Sequence, residues 1–291
     1  MVKVRIQLPL NISRGIEEML KEHIEANREE YQREIDFVHH SHKCGTEGET
    51  GPQADIMIGF IPDLAQQTDE YILGHMLSAP GRFPIRKELR DSGFVDPRGC
   101  FHTFGIVPFV MFYNPYYTDA AEIPRSWNEL LEPQWQGRVM MPGKQHIAPR
   151  VIRAVLKQQN PGRARAVDEN ITYSGMPPNV IEAVKSGKFA LGAANITFGK
   201  ISQSQKIKMF WPEEGLLCMP QVIAWSKGLD ESLLKLGDFM LSPKVQNFLI
   251  QQTFYPAAPA AEPPEILRNN HAVLKWTGWD DFRTAMKNSE S

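Results

Sequence analysis

One stretch, residues 124–144, constrains the fold more than any other part of the chain. It reads P-R-S-W-N-E-L-L-E-P-Q-W-Q-G-R-V-M-M-P-G-K. Ser126 and Glu129 have the spacing of a capping box, so a short helix should begin here. Pro133 should end that helix because proline has no N–H to donate. The run V-M-M then predicts a buried strand, and P-G a loop before another helix, an order typical of an α/β lobe.

The composition is that of an ordinary globular protein. A chain of 291 residues is long enough for two lobes, each with its own core. The net charge of -2 gives no reason to expect nucleic acid as a partner. We expect no membrane insertion, because no apolar run approaches the roughly 20 residues of a spanning helix. The three cysteines lie far apart, which leaves open one disulfide with one thiol, or three free thiols.

Strands and helices alternate along the chain. Residues 2–8 alternate apolar and polar side chains, as a half-buried strand does, and Ser13 should cap a helix over residues 14–28. With a strand at 34–39, this order favours parallel pairing. The remaining predicted strands are 54–59, 189–194 and 207–211, and the remaining predicted helices are 147–159, 178–185, 229–241, 243–252 and 271–286.

Two apolar strands should connect the lobes. Residues 104–114 form a long apolar run interrupted by Pro108, and residues 221–225 form a shorter one. We interpret the first as the crossing out of lobe 1 and the second as the return. Lobe 1 is therefore predicted to comprise residues 1–107 and 226–291, and lobe 2 residues 108–225.

Six segments agree, in order, with one known family. The pattern P-x-S-W-x-x-L-L-x-P-x-W-x-G-x-V-x-x-P resembles the signature of extracellular solute-binding proteins of the type 2 periplasmic fold. It is most similar to the branch that includes the ferric-iron binding proteins of ABC importers. The other segments, found within residues 2–258, are A-D-I-M-I-G, F-Y-N-P, E-A-V-K-S-G-K-F-A-L-G-A, P-E-E-G and L-S-P-K-V-Q.

The resemblance implies both a fold and a function. The fold is two lobes, each a mixed, mostly parallel sheet flanked by helices, joined by two hinge strands. The function is capture of a metal ion, metal chelate or small anion in an interlobe cleft, for delivery to the permease of an ABC transporter. We expect a monomer that acts in the periplasm or at the cell surface once a signal segment is removed.

The alternative is a cytoplasmic ligand sensor or a metal-dependent enzyme built on the same fold. Residues 1–10 show no apolar signal region, which keeps this alternative open. An enzyme is not our prediction. Glu213 and Glu214 are neighbours that point apart in an extended chain, and a nucleophilic Cys44 would lack a visible orienting group.

Ligands of open α/β sheets bind at the carboxyl ends of the strands, often at helix N-termini. In lobe 2 this rule selects residues 142–149, 195–200 and 214–221, and the loop that holds Lys144 and His146 favours an anion. In lobe 1 it selects the loops after the first three strands. The residues predicted to bind the ligand are Asn11, His40, His42, Cys44, Gly59, Phe60, Lys144, Gln145, His146, Asn195, Thr197, Phe198 and Cys218.

The segment H-H-S-H-K-C is the one candidate for a metal site. His40, His42 and Cys44 alternate, so in an extended chain they lie on one side, and imidazole and thiolate are ligands of transition metals. The segment is equally consistent with a polar loop, or with a loop whose backbone N–H groups face an anion. No other cofactor is predicted.

The chain departs from the ferric-iron branch at one position. Adjacent tyrosines near residue 197 supply iron ligands in that branch, whereas this chain has Thr197 and Phe198. Tyr116 and Tyr117 lie much earlier and do not match the motif. This departure from the branch favours an organic or oxyanion ligand over free ferric iron. Asn195 and Thr197 would hold that ligand, with Phe198 packed on it.

Overall fold

The computed structural model describes residues 1–31, 33–38, 54–60, 66–202 and 206–288. It has the predicted α/β class, a mixed sheet flanked by helices, and the chain clusters into two compact units. Unit 1 comprises Met1–Ile106 and Pro220–Pro263, and unit 2 comprises Val107–Met219 and Pro264–Ser291.

The elements follow the predicted alternation. The described strands are β1 (Val2–Gln7), β2 (Ile35–Val38), β3 (Ile56–Gly59), β4 (His102–Tyr113), β5 (Val139–Met141), β6 (Ile171–Tyr173), β7 (Leu191–Asn195), β8 (Lys208–Phe210), β9 (Leu216–Trp225), β10 (Tyr255–Pro256) and β11 (Leu274–Lys275). The described α-helices are α1 (Leu10–Ala26), α2 (Arg28–Tyr31), α3 (Asp69–His75), α4 (Lys87–Asp91), α5 (Ile147–Gln159), α6 (Ala164–Asn170), α7 (Pro177–Lys185), α8 (Ile196–Ser202), α9 (Lys235–Met240), α10 (Pro243–Gln251), α11 (Glu265–Asn269) and α12 (Trp279–Asn288).

In unit 1 the strand order is β2-β1-β3-β9-β4, with β10 paired to β4. The pairing of β1 with β2 and β3 is parallel, as predicted, and that of β3 with β9 is antiparallel. Helix α1 is amphipathic and buries Ile12, Ile16 and Leu20, one residue per turn of its apolar face.

In unit 2, β5 lies between β7 and β6 and is parallel to both, whereas β4 is antiparallel to β7 and β8. Both β4 and β9 have residues in each unit, since the unit boundaries fall after Ile106 and Met219. These are the two strands predicted to connect the lobes.

The stretch at residues 124–144 contains two 3₁₀ turns, Asn128–Leu131 and Pro133–Trp135, where a single short helix was expected. The predicted cap is present, because Ser126 Oγ accepts a hydrogen bond from the Glu129 N–H at 3.2 Å. The Glu129 carboxylate accepts one from the Arg125 N–H at 2.9 Å. Strand β5 follows, as predicted.

Glu214 joins this stretch to the P-E-E-G segment. Its carboxylate accepts a hydrogen bond from the Trp127 N–H at 2.8 Å, and the Trp127 indole N–H donates to the Gly215 carbonyl at 3.1 Å. The Lys275 ammonium lies 3.6 Å from the same carboxylate oxygen. Two segments that carry the family resemblance therefore hold each other in place within unit 2.

Two helix boundaries differ from the prediction. Helix α1 starts at Leu10, because Pro9 occupies the cap position and its carbonyl accepts from Ser13 N–H at 3.0 Å. A single helix over residues 271–286 is wrong, since Gly278 has φ +83° and interrupts it, leaving β11 and then α12. Residues 264–291, which we had assigned to lobe 1, cluster with unit 2, where α12 packs on α5.

Candidate functional site

Three parallel strands of unit 2 end at one edge of the sheet. Val139 of β5 is in register with Ile171 of β6 and with Leu191 of β7. The loops after β5 and β6 are joined by a hydrogen bond from Gly143 N–H to the Gly175 carbonyl, at 2.9 Å. The predicted residues in 144–146 and in 195–198 therefore lie at the same carboxyl edge.

Helix α5 begins at this edge. His146 occupies its N-cap position, no side chain caps the helix and no acidic side chain lies in the first turn. The amide of Gln145 is exposed and folds over the loop, so close to Gly143 that an added Cβ would lie 2.4 Å from its Oε1. The partial positive charge of a helix N-terminus favours an anion here.

A cluster of charges surrounds Asp168 of α6. Its carboxylate accepts hydrogen bonds from Arg153 Nε at 2.6 Å and Nη2 at 3.0 Å. The ammonium of Lys157 lies 2.6 Å away and that of Lys144 lies 3.1 Å away. Three cations against one carboxylate leave a surplus of two positive charges.

The same cluster perturbs the titration of Asp168. Partial burial would by itself raise the pKa of the carboxyl, but the hydrogen bonds from Arg153, Lys157 and Lys144 together hold it well below its usual range. Asp168 therefore stays ionised, and Lys144 is one member of an ion cluster. Its side chain remains 54% exposed.

Asn195 is the last residue of β7, and its side chain is buried with 8% exposure. Thr197 lies in the first turn of α8 and is 6% exposed, and Phe198 is half-buried beside it. These three residues stand together at the end of β7, as predicted.

Tyr116 and Tyr117 lie at the other end of this sheet. Tyr113 is in register with Leu191, the first residue of β7, whereas Phe109 is in register with Asn195. The two tyrosine rings are exposed and in edge-to-face contact at 4.9 Å. They do not replace a tyrosine pair at the carboxyl edge.

In unit 1 the carboxyl edge is formed by the ends of β1 and β3. Gly59 has φ +117°, and a Cβ there would lie 2.1 Å from the Gln7 carbonyl oxygen, so only glycine fits. The N–H of Phe60 donates to the same carbonyl at 3.0 Å, and its ring is buried. Asn11, in the first turn of α1, donates to Gln252 Oε1 at 3.4 Å.

His40, His42 and Cys44 lie outside the described residues. Within the described ranges no group of three or more His, Cys, Asp or Glu side chains could hold a metal ion. The same ranges contain no helix with the length and apolar character to cross a membrane.

Cys218 is a core residue. It is 3% exposed in β9, and its thiol donates to the Lys275 carbonyl of β11 at 3.5 Å. Burial raises the pKa of the thiol far above its usual range, so it stays neutral. The expectation that Cys218 presents its sulfur to a ligand does not fit this environment.

Sequence reasoning did not single out Gln221. It lies in β9 with no exposed surface. The signal in the sequence is a lone amide in the apolar run P-Q-V-I-A-W, which we interpreted only as a strand. Asp168 was also missed, because nothing in its local sequence indicates three distant cations.

A sequence profile of bacterial extracellular solute-binding proteins matches residues 52–285. The chain belongs to this family. The fold agrees: the ferric binding protein from Campylobacter jejuni superposes with a TM-score of 0.77 at 15% identity, over 100% of this chain and 97% of that one. No curated protein sequence matches this solute-binding protein.

Two further solved structures share the fold. The apo ferric ion-binding protein A of Pasteurella haemolytica has a TM-score of 0.75 at 14% identity, covering 99% of this chain and 95% of that one. The Trichodesmium protein (IdiA, FutA), solved in complex with iron and citrate, has a TM-score of 0.71 at 15% identity, covering 99% and 96%. These structures confirm the two-lobed periplasmic fold predicted from the sequence, and the family match confirms a role in solute binding and transport.

Proposed function

We propose that this solute-binding protein captures an anionic solute, with a carboxylate chelate of ferric iron as the first candidate, and delivers it to an ABC permease. The observation that carries the proposal is the carboxyl edge of unit 2. There Lys144 precedes the uncapped first turn of α5, and its ammonium belongs to a cluster in which Arg153, Lys157 and Lys144 outnumber Asp168. Both features favour negative charge.

The similarity to ferric-iron binding proteins is easier to explain if the solute is a chelate of iron than if it is the bare ion. Thr197 and Phe198 stand where tyrosine ligands are expected, and neither side chain offers a phenolate to Fe³⁺. In a chelate, the carboxylates of the chelator already occupy much of the coordination sphere of the iron. The protein then needs hydrogen-bond donors and positive charge, which Asn195, Thr197 and Lys144 can supply.

The proposal is tested by titrating the protein with ferric citrate, iron-free citrate and inorganic phosphate, using calorimetry. We expect saturable binding of at least one of these anions. Lys144→Gln should weaken it about tenfold, the loss of one charge-assisted contact worth about 1.4 kcal/mol. Affinity should also fall as salt is raised.

Lys188→Gln is the matched control. It removes the same charge from an exposed lysine just before the amino end of β7, the end opposite to Asn195. Its affinity should stay within about twofold of the parent. The proposal fails if no anion binds, or if Lys144→Gln and Lys188→Gln behave alike.

We further propose that the protein acts outside the cytoplasm as a monomer with the permease as its partner. The family supports the location and the partner. Sedimentation of the purified protein at micromolar concentration tests the monomer, and a dimer that persists on dilution would refute it.

A further inference from the structure

Unit 1 contains a buried glutamine whose amide is fully satisfied. Gln246 of α10 is 1% exposed. Its Nε2 donates to the carbonyls of Phe104 and Met240, both at 2.8 Å. Its Oε1 accepts from the N–H groups of Ala257 at 2.9 Å and Ala258 at 3.0 Å. This is the arrangement expected of a structural amide in a protein core.

Gln221 of β9 is buried to the same degree but is not satisfied. Its Nε2 donates to the carbonyl of its own neighbour Pro220 at 3.3 Å. Its Oε1 is buried and accepts no hydrogen bond from any residue in the described part of the chain. A buried acceptor without a donor destabilises the fold, so its presence needs an explanation.

The position of Gln221 supplies one. In the antiparallel pair of β3 and β9, Val222 is in register with Gly59. Gln221 is therefore one residue further along, level with Phe60, at the carboxyl edge of the sheet of unit 1. In α/β sheets this is the edge at which ligands bind.

Unit 1 has another buried polar side chain with an unsatisfied atom, at Thr253. Thr253 is 1% exposed, its hydroxyl has no partner among the described residues, and its φ is +68°, which is rare for a β-branched residue. It shortly precedes Tyr255, which pairs with Ile106, the last residue of β4 in unit 1. The positive φ of Thr253 closes the C-terminus of α10, where the Phe254 N–H donates to the Leu249 carbonyl at 2.9 Å, so only the unsatisfied hydroxyl is comparable to Gln221.

We propose that Gln221 is a specificity residue whose side-chain carbonyl accepts a hydrogen bond from a hydroxyl group of the solute. The inference rests on the proposed function and narrows it, from anions in general to hydroxycarboxylates whose hydroxyl group keeps its proton and is not itself a ligand of iron. Gln221 has no exposed surface in this structure, so the proposed contact requires this edge to open when the solute binds. A solute that lacks the hydroxyl leaves the amide oxygen unsatisfied and binds more weakly.

The test compares citrate with tricarballylate, which is citrate without its hydroxyl group, in calorimetric titrations. The wild type should bind citrate about tenfold more tightly. Gln221→Met, which keeps the length of the side chain but removes its amide, should bind the two acids within about twofold of each other. A Gln221→Met protein that keeps the full preference for citrate would overturn the inference.

Thermal unfolding without solute gives an independent readout. Gln221→Met removes an unsatisfied acceptor, so its Tm should equal or exceed that of the wild type, whereas Gln246→Met should lower the Tm by several degrees. A fall for Gln221→Met comparable to that for Gln246→Met would show a structural role and overturn the inference. Should the wild type bind neither acid, the carboxylate proposal fails, and the two Tm values alone decide the role of Gln221.

Discussion

The two units hold their polar groups in different ways. In unit 1 the buried neutral groups include the Gln246 amide with its hydrogen bonds, the Gln221 amide, whose oxygen accepts none, and the His102 imidazole, in addition to the buried carboxylate of Asp96 near Arg98. Unit 2 instead gathers charges around Asp168, on side chains that are between 20% and 54% exposed. Neutral buried hydrogen bonds are insensitive to salt but costly to break, whereas part-exposed ion pairs are screened and individually weak. The stability contributed by Gln246 should therefore respond to the loss of a hydrogen-bond partner, and that contributed by the Asp168 cluster to added salt.

The largest effect is expected at Gln246. Replacing it by leucine would leave the N–H groups of Ala257 and Ala258 and the carbonyl of Phe104 buried without partners. We expect a loss of about 4 kcal/mol in the free energy of unfolding of unit 1. Urea titration with hydrogen exchange resolved by unit would measure it.

Gln251→Leu is the control, since Gln251 is exposed at the end of the same helix. It should change the stability by less than about 0.5 kcal/mol. Equal effects at both positions would mean that the buried amide of Gln246 contributes nothing particular.

The next effect is a pH dependence confined to unit 1. Burial of His102 lowers its pKa to about 4, with Arg82 adding to the shift and a hydrogen bond to the Gly99 backbone opposing it. The ring packs edge-on against both Phe83 and Trp225, which stack on each other. The folded pKa lies below the unfolded value of about 6.5, so the neutral ring stabilises the fold fully above pH 6.5. That stability, about 3 kcal/mol, is lost as the pH falls from 6.5 to 4.

His102→Leu should reduce the slope of the unfolding free energy of unit 1 across this window, to which the burial-lowered pKa of His23 also contributes, while His75→Gln, at an exposed position, is the control. The measurement is a series of urea titrations between pH 7.5 and 4. A wild-type slope that survives in His102→Leu would place the responsible group elsewhere.

Elements with a strong local pattern were predictable from the sequence, and those set by distant contacts were not. Helix α5 begins at Ile147 and ends at Gln159 as predicted, because its apolar spacing is regular and Pro161 follows. The closing helix was wrong because one glycine in the left-handed region outweighs an otherwise helical pattern. Local sequence preferences determine where a regular helix begins and ends. A turn imposed by a single backbone angle leaves the apolar spacing unchanged, so it cannot be predicted from that spacing.

The candidate site shows the same division. The carboxyl edge of unit 2 follows from strand order, so Lys144, Asn195 and Thr197 were predictable as neighbours of one edge. The partner of Lys144 was not, since Asp168 lies far along the chain. Nor could the sequence distinguish Gln221 from Gln246, because the difference is entirely in which backbone groups each amide reaches.

A smaller effect is expected at Asp168. Asp168→Asn leaves Lys144, Arg153 and Lys157 without their carboxylate, and we expect a loss of about 1.5 kcal/mol, discounted for the exposure of the cluster. The folded pKa of Asp168 is depressed, so its contribution is present above the unfolded value of about 3.9 and is lost at lower pH. Urea titrations at pH 7 and pH 3 should therefore differ less in the variant than in the wild type.

Salt sharpens this test. The destabilisation by Asp168→Asn should shrink at 1 M NaCl, since salt screens both the lost attraction and the new repulsion. Glu169→Gln, which removes an exposed carboxylate one residue away, should be close to neutral. The contrast between the units would not hold if Gln246→Leu were as salt-dependent as Asp168→Asn.

The smallest effect is expected for Glu214→Gln, which tests whether unit 2 depends on charge throughout. One oxygen accepts the Trp127 N–H at 2.8 Å, and the Lys275 ammonium is as far as 3.6 Å away. Here the carboxylate acts chiefly as a hydrogen-bond acceptor, a role that an amide oxygen can fill. Glu214→Gln should therefore cost only about 0.5 kcal/mol in urea titrations, whereas Glu214→Ala, which leaves the Trp127 N–H without an acceptor, should cost about 2 kcal/mol. If Glu214→Gln costs as much as Glu214→Ala, the ion pair with Lys275 dominates, and unit 2 depends on charge even where its groups are largely buried.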